Sequence, residues 1–212
     1  MASCQSPYGI MKKNWIKRNL SWLWIVSLCL CIAVVAAGPA EAAAHQPSAT
    51  PADSSPDQTR KWHDDGLGIS LWLPAGFSLT TPPRPEIHLA AVQPEGRLCI
   101  QISEEKQNQP VPPGRQKAYL KKSWQAYERI LKKDPAIRDI HTGMTHIGTH
   151  QAASLTYTQR FYLGNQIIDL YTERYLLLSG SSLYILTLTA DDSTKDLYLS
   201  SMQQCLQTFS TY

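Results

Sequence analysis

The fold is decided by residues 150–190, HQAASLTYTQRFYLGNQIIDLYTERYLLLSGSSLYILTLTA. Two turn signals, Gly164-Asn165 and Gly180-Ser181, divide this stretch into three runs rich in Thr, Tyr, Ile and Leu. β-Branched and aromatic residues favour strands, and short turns with Gly and Asn favour tight hairpins. The sequence therefore predicts a meander of antiparallel strands at 150–163, 166–178 and 182–190.

The turn at Gly164-Asn165 also predicts which residues face each other. A two-residue turn fixes the register, so residues whose numbers add up to 329 should pair across it. Arg160 then lies opposite Asp169, and Thr156 lies opposite Glu173 on the same side of the sheet. Apolar residues occur on both sides of the predicted sheet, which indicates that each side is covered.

The polar residues on one side of this hairpin are a candidate binding surface, made of Arg160, Asp169, Tyr171 and Glu173. One interpretation is a site for a ligand or a hydrolase-like reaction, because titratable groups with perturbed pKa values cluster at functional sites. The other, which we favour, is structural, since cross-strand charge pairs commonly stabilise a sheet.

Working outward, a strand is predicted at 137–147, and helices are predicted at 115–133 and 193–209. In the first helix, apolar residues recur with the spacing of one buried stripe at Leu120, Trp124, Tyr127 and Leu131. The last helix repeats that spacing at Tyr198, Met202, Cys205 and Phe209. Ser193 and Asp196 have the spacing of a capping box at its start.

The first helix carries its charge on the side opposite the apolar stripe. Six cationic residues fall on that half: Lys117, Lys121, Lys122, Arg129, Lys132 and Lys133. The simpler interpretation, and the favoured one, is a solvated outer face. The alternative is a basic patch that contacts anionic lipid headgroups or an acidic partner.

The N-terminal part of the domain predicts further strands and completes the fold class. Asp65-Gly66 separates two strand-like runs, 61–64 and 67–73, as a tight hairpin would, and further strands are expected at 87–92 and 97–103. Two amphipathic helices and a mostly antiparallel, twisted sheet give an α+β fold, arranged as an α/β/α sandwich.

Two segments resemble the PsbP-like family. The run 66–77, GLGISLWLPAGF, is similar to the opening element of that family, and 184–190 with 205–209 is similar to its last strand and helix. The PsbP-like fold is shared by photosystem II extrinsic proteins, periplasmic DcrB-type proteins and a Ran-binding import factor. The resemblance implies an accessory or binding protein rather than an enzyme, and nothing in the sequence carries over a photosynthetic role.

Residues 1–42 have the features of an export signal. Lys12, Lys13, Lys17 and Arg18 precede an apolar run at 20–37, and Ala42 and Ala44 follow as cleavage candidates. A cleaved signal peptide is favoured over an uncleaved anchor formed by 20–37, and translation could start at Met1 or Met11. Residues 43–60 lack large apolar side chains and predict a disordered linker to the domain at 61–212.

The export segment accounts for the net charge of +3. The remaining 170 residues hold 16 basic and 16 acidic side chains, so overall charge gives no support for nucleic-acid binding. Two cysteines lie in this part, Cys99 and Cys205. They either form a disulfide, since the compartment is predicted to be oxidising, or pack as small apolar residues.

No catalytic, metal or cofactor motif stands out in the sequence. The six histidines lack metal-ligand spacing, no nucleophile elbow or phosphate-binding glycine loop occurs, and no cofactor is predicted. The sequence therefore predicts an extracytoplasmic protein of the periplasm, cell envelope or secreted fraction. Its role would be non-enzymatic, with an envelope protein, a small ligand or a membrane surface as its partner. The alternative is an enzyme with an unrecognised site around Arg160, Asp169 and Glu173.

Overall fold

A computed structural model describes residues 59–82, 84–93 and 97–212. The predicted signal or anchor at 1–42, its cleavage candidates Ala42 and Ala44, and nearly all of the linker 43–60 lie outside the described residues. Among the described residues, the buried apolar core residues lie between Ile69 and Phe209.

The described part of the chain contains ten strands and two helices. In chain order these are β1 (Arg60–Asp64), β2 (Ile69–Leu73), β3 (Ser78–Leu79), β4 (Ile87–Gln93), β5 (Leu98–Lys106), α1 (Pro113–Leu131), β6 (Ile137–Ile147), β7 (His150–Leu163), β8 (Gln166–Ser179), β9 (Ser182–Asp191), α2 (Lys195–Gln207) and β10 (Ser210–Thr211). This composition confirms the predicted α+β class.

Seven strands form one antiparallel sheet in the order β3-β4-β5-β9-β8-β7-β6, and β1-β2-β10 form a small second sheet. The predicted register is confirmed across the Gly164-Asn165 turn. Arg160 pairs with Asp169 and Thr156 with Glu173 between β7 and β8. Beyond the next turn, Glu173 of β8 pairs with Leu188 of β9. A two-residue turn leaves no freedom for slippage, which explains why sequence spacing was sufficient here.

The two helices cover opposite faces of the large sheet. Helix α1 packs against β6, β7 and β8, and its four predicted stripe residues are all buried. Helix α2 packs against β9 and, together with β2 of the small sheet, encloses the main apolar core. Adjacent residues of a strand point to opposite faces. Glu173 accordingly faces α2, whereas Arg174 faces α1.

The first hairpin differs from the prediction in its turn. Asp64 pairs with Ile69, so the connection consists of residues 65–68 rather than Asp65-Gly66 alone. Gly68 adopts a left-handed φ of 63°, and a Cβ atom there would clash with the carbonyl oxygen of Tyr212. Tyr212 packs against this turn, and its backbone N–H donates a hydrogen bond of 2.8 Å to the carbonyl oxygen of Gly68.

The last helix is shorter than predicted at both ends. It begins after Thr194, which makes no side-chain capping bond, and Ser193 donates its hydroxyl to Asp191 instead. The predicted capping box is therefore wrong. At the other end the helix stops at Gln207. Phe209 is buried as predicted, but it lies in the short connection between α2 and β10 and not in the helix.

The two cysteines of the domain are both buried but lie on opposite faces of the large sheet. Cys205 belongs to the core beside Ile100, and Cys99 precedes Ile100 in β5, so its side chain points the other way. This corrects the disulfide considered from the sequence. Burial raises the pKa of the Cys205 thiol to about 12, as expected of an inert packing residue.

Within the described residues, no helix has the length and apolar character required to cross a membrane.

Candidate functional site

The outer face of α1 presents the basic side chains that the sequence placed there. All six are exposed: Lys117, Lys121, Lys122, Arg129, Lys132 and Lys133. One of them, Lys132, forms an ion pair with Glu128, with a distance of 2.6 Å between Nζ and Oε1. The apolar stripe Leu120, Trp124, Tyr127 and Leu131 fixes this orientation, because burying it turns the charged side to solvent.

This helix concentrates positive charge on a domain that is otherwise acidic. Residues 113–133 hold seven Lys or Arg side chains and one Glu, whereas the rest of residues 59–212 hold nine basic and thirteen acidic side chains. Overall neutrality therefore conceals a charge separation between α1 and the remainder of the domain. A concentrated field of one sign attracts an oppositely charged surface.

Arg160 and Asp169 form a two-bonded ion pair on the α2 side of the sheet. The Arg160 Nε and Nη2 atoms each lie 2.9 Å from an Asp169 oxygen. Arg138 adds a bond of 3.0 Å to Asp169 and one of 3.1 Å to Asp192. The hydrogen bond from Arg160 is the main cause that lowers the pKa of Asp169. This group joins β6, β7 and β8 at their ends.

Glu173 lies at the centre of a closed hydrogen-bond network. Its side chain is 3% exposed. The hydroxyl groups of Tyr171 and Tyr175 donate to its oxygens at 2.8 and 2.7 Å, and Gln203 Nε2 of α2 lies 3.1 and 3.3 Å from them. Burial, followed by bonding to this carboxylate, raises the pKa of both tyrosines. The carboxylate is thus fully engaged by protein donors.

The structure brings the four predicted residues onto one face, in two linked groups. Lys195 connects the two groups. Its Nζ atom lies 4.7 Å from the Tyr171 ring centroid and 2.7 Å from Asp192. Asp192 accepts a hydrogen bond from Arg138, which also donates to Asp169. Gln203 was missed from the sequence because it comes from α2, far along the chain. The arrangement is typical of a structural polar network that ties a helix to a sheet.

A second polar layer lies on the other face of the sheet, beneath α1, and the sequence did not predict it. Arg174 is 5% exposed, and the carbon at the centre of its guanidinium lies 5.7 Å from the Tyr157 ring centroid. Tyr127 of α1 is close enough for Arg174 to lower its pKa, although burial dominates and raises that pKa to about 12. The sequence contained one sign of this layer. Arg174 is a charged residue on the same side of β8 as Leu170 and Leu176, which point into the core.

Glu105 at the end of β5 belongs to this layer. Burial raises its pKa to about 7, more than the nearby Gln107 amide lowers it. Tyr119 of α1 donates its hydroxyl to Gln107 Oε1 at 2.8 Å. The charge on Glu105 also helps to raise the pKa of Tyr119 and of Tyr127. Side chains from β5, β7, β8 and α1 therefore meet in one partly polar space.

The neighbouring residues His63, Asp64 and Asp65 divide into two groups in the structure. His63 Nε2 lies 3.9 Å from Asp65 Oδ2, whereas Asp64 lies 3.8 Å from His88, whose other ring nitrogen lies 3.6 Å from Glu104. Within residues 59–82, 84–93 and 97–212, no group of three or more His, Cys, Asp or Glu side chains is arranged to hold a metal ion.

Comparison with known proteins gives similarities of fold only. No family model and no curated protein sequence matches the chain. A cyanobacterial PsbP from Synechocystis shares 11% identity over 79% of this chain and 100% of that chain, with a TM-score of 0.48. LpqN, involved in cell envelope biogenesis of Mycobacterium tuberculosis, shares 15% identity over 73% and 91%, with a TM-score of 0.48.

A third structure, from Bacteroides thetaiotaomicron, shares 15% identity over 73% of this chain with a TM-score of 0.48. The match spans about half of that protein, 49% of its length. PsbP, the family that the sequence resembles, is thus among the similar structures. Similarities of this size do not establish a ligand, a partner, an activity or membership of a family.

Proposed function

We propose that this protein is an exported, non-enzymatic binding module of the cell envelope, which docks on anionic membrane lipid through the outer face of α1. The observation that carries the proposal is the concentration of positive charge on that one exposed face. The rest of the domain has an excess of acidic side chains. An anionic surface would repel that part, which also favours an orientation with α1 facing the lipid.

The geometry of the face favours an extended surface over a small ligand. A helix of 19 residues is about 28 Å long, and its cations are distributed along most of that length. None of the exposed large apolar side chains of the described residues lies on α1. Contact with a membrane would therefore be electrostatic, at the level of the headgroups, without insertion of apolar side chains.

The N-terminal sequence favours a membrane over an acidic protein as the partner. A basic, apolar export segment would carry the domain across a membrane, and where the segment stays uncleaved a linker of about 18 residues would hold the domain near that surface. Juxtamembrane basic clusters bind anionic lipid with about 1 kcal/mol for each Lys or Arg near the surface.

The enzymatic alternative has less support from the geometry around Glu173. A catalytic carboxylate must reach its substrate, but both oxygens of Glu173 accept bonds from protein donors and its side chain is 3% exposed. Asp169 is likewise engaged by two arginines. These contacts favour a structural role for the group.

Charge reversal on α1 tests the proposal. Lys117→Glu, Lys121→Glu and Lys122→Glu, combined in the chain from residue 43 onward, should lower the partition onto vesicles that contain phosphatidylglycerol. The loss of three lysines costs about 3 kcal/mol, or roughly a hundredfold in partition. Wild-type binding should fall with salt and be absent from pure phosphatidylcholine vesicles, because screening shortens the range of the interaction. Co-sedimentation measures both effects.

The matched control makes the same charge change elsewhere on the surface. Arg60→Glu, Lys61→Glu and Lys106→Glu alter three exposed cations away from α1 and should leave most of the binding intact. If both triple variants lose binding equally, net charge rather than this face governs it. If wild-type protein does not bind anionic vesicles at low salt, the membrane proposal is wrong and an acidic protein partner becomes the better candidate.

A further inference from the structure

Unpartnered polar atoms gather in the layer between α1 and the large sheet. In the described part of the chain, seven buried side-chain atoms lack a hydrogen-bond partner, and five of them belong to this layer. They are Gln101 Nε2, Glu105 Oε2, Gln107 Nε2, Trp124 Nε1 and Arg174 Nε. Four of the five are N–H donors, so the layer as a whole lacks acceptors.

Arg174 is the most costly of these groups to bury. Among the described residues, no carboxylate forms an ion pair with it; its guanidinium lies over the Tyr157 ring and interacts with Tyr127 of α1. An uncompensated charge in a protein interior is strongly unfavourable, and buried charges are normally paired. Glu105 lies in the same layer but does not provide the pair, since its buried Oε2 atom has no hydrogen-bond partner among the described residues.

The layer extends from beneath α1 toward partly exposed residues of the same sheet face. The helix packs over β6, β7 and β8, while Gln101 of β5 and Thr187 of β9 on the same face are only half-buried. Thr187 pairs with both Gln101 and Arg174, so the three side chains form a row across the sheet from the half-buried residues to Arg174.

We propose that this row binds a small oxyanion, a carboxylate or a phosphate group, with Arg174 as its main contact and Gln101 as a supporting donor. A guanidinium presents a planar fork of donors that matches the oxygens of either group. The Tyr157 ring, which lies 5.7 Å from the carbon at the centre of the guanidinium, would offer an apolar surface to the body of a small organic anion. This site lies under α1 and is independent of the exposed basic face.

Thermal unfolding of the chain from residue 43 tests the proposal with two probes, inorganic phosphate and benzoate, against sodium chloride at equal ionic strength. Wild-type protein should show a saturable rise in Tm with at least one probe, because a ligand that binds only the folded state stabilises it. A response to phosphate alone assigns the phosphoryl class, and a response to benzoate alone assigns the carboxylate class.

Arg174→Met should abolish this response and, in the absence of ligand, raise the Tm by roughly 5 °C, because it removes a buried charge without a partner. A purely structural arginine predicts the opposite sign. Arg160→Met, on the other face of the same sheet, is the control and should keep the saturable response.

A direct measurement on wild-type protein protects the test against a variant that fails to fold. The Arg174 Nε–H resonance should shift saturably on titration with the active probe. The proposal is overturned if neither probe gives a saturable change in Tm or in that resonance. It is equally overturned if Arg174→Met responds as wild-type protein does.

Discussion

Glu173→Ala should lower the free energy of unfolding by about 3 kcal/mol, because three donors lose their acceptor at about 1 kcal/mol each. The hydroxyls of Tyr171 and Tyr175 and the Gln203 amide all point at this carboxylate. At about 2–4 °C per kcal/mol for a domain of this size, the Tm should fall by roughly 6–12 °C. Urea denaturation at pH 7 measures the difference.

Two further variants separate the network from a general effect of charge. Glu173→Gln keeps one acceptor oxygen and should cost about 1 kcal/mol. Asp196→Ala removes an exposed acid of α2 and should change stability by less than about 0.5 kcal/mol. A Glu173→Ala protein as stable as wild type would show that the network contributes nothing, which would reopen a functional role for this carboxylate.

Trp124→Ala should cost about 4 kcal/mol, since it removes the largest side chain from the contact between α1 and the sheet. Trp124 is 3% exposed and packs against Tyr127 with 5.9 Å between the ring centroids. Its indole N–H has no hydrogen-bond partner in the described part of the chain, so its contribution is one of apolar packing. Urea denaturation followed by circular dichroism measures the loss.

Trp72→Ala provides the matched control for that substitution. Trp72 lies in β2 and is 46% exposed, so its truncation should cost about 1 kcal/mol or less. Equal losses for the two tryptophans would contradict the assigned packing of α1. A Trp124→Ala protein that unfolds in two steps, α1 first, would instead show that this helix is a separate cooperative unit.

Local periodicity explains which parts of the fold were predictable from the sequence. The buried stripe of α1 follows from the helical repeat of 3.6 residues per turn. The register of β7, β8 and β9 follows from the two-residue repeat of a strand, together with turns that are too short to allow a shift. The same patterns placed the basic face correctly. Nothing local specified the two-residue strand β10, which is defined by its pairing with β2 across most of the chain.

The polar layer beneath α1 was not predictable for the same reason. Its groups include Gln101, Trp124 and Arg174, which no sequence window connects. The one local sign was a charged residue in an otherwise apolar and Thr-containing strand row, at Arg174. Conversely, the predicted group around Glu173 was placed correctly on one face, but Gln203 from α2 completes it into a network with no free carboxylate oxygen.

The structure therefore divides the polar features of the domain by face. The α2 side holds a satisfied network that ties β6, β7 and β8 to the C-terminal helix. The α1 side holds both the exposed cations and the unpartnered donors beneath them. Both proposed binding functions therefore lie on the α1 side of the sheet.

The orientation of the domain on a membrane is the most direct test of this account. The chain from residue 43 contains two cysteines, Cys99 and Cys205, and both are buried. In this chain an environment-sensitive dye can be attached selectively to a new surface cysteine, at Gln125→Cys on α1 or at Ser200→Cys on α2. On phosphatidylglycerol vesicles the α1 dye should respond and lose its response in high salt, while the α2 dye should stay unchanged. An equal response from both dyes, or a response from the α2 dye alone, would contradict docking through α1.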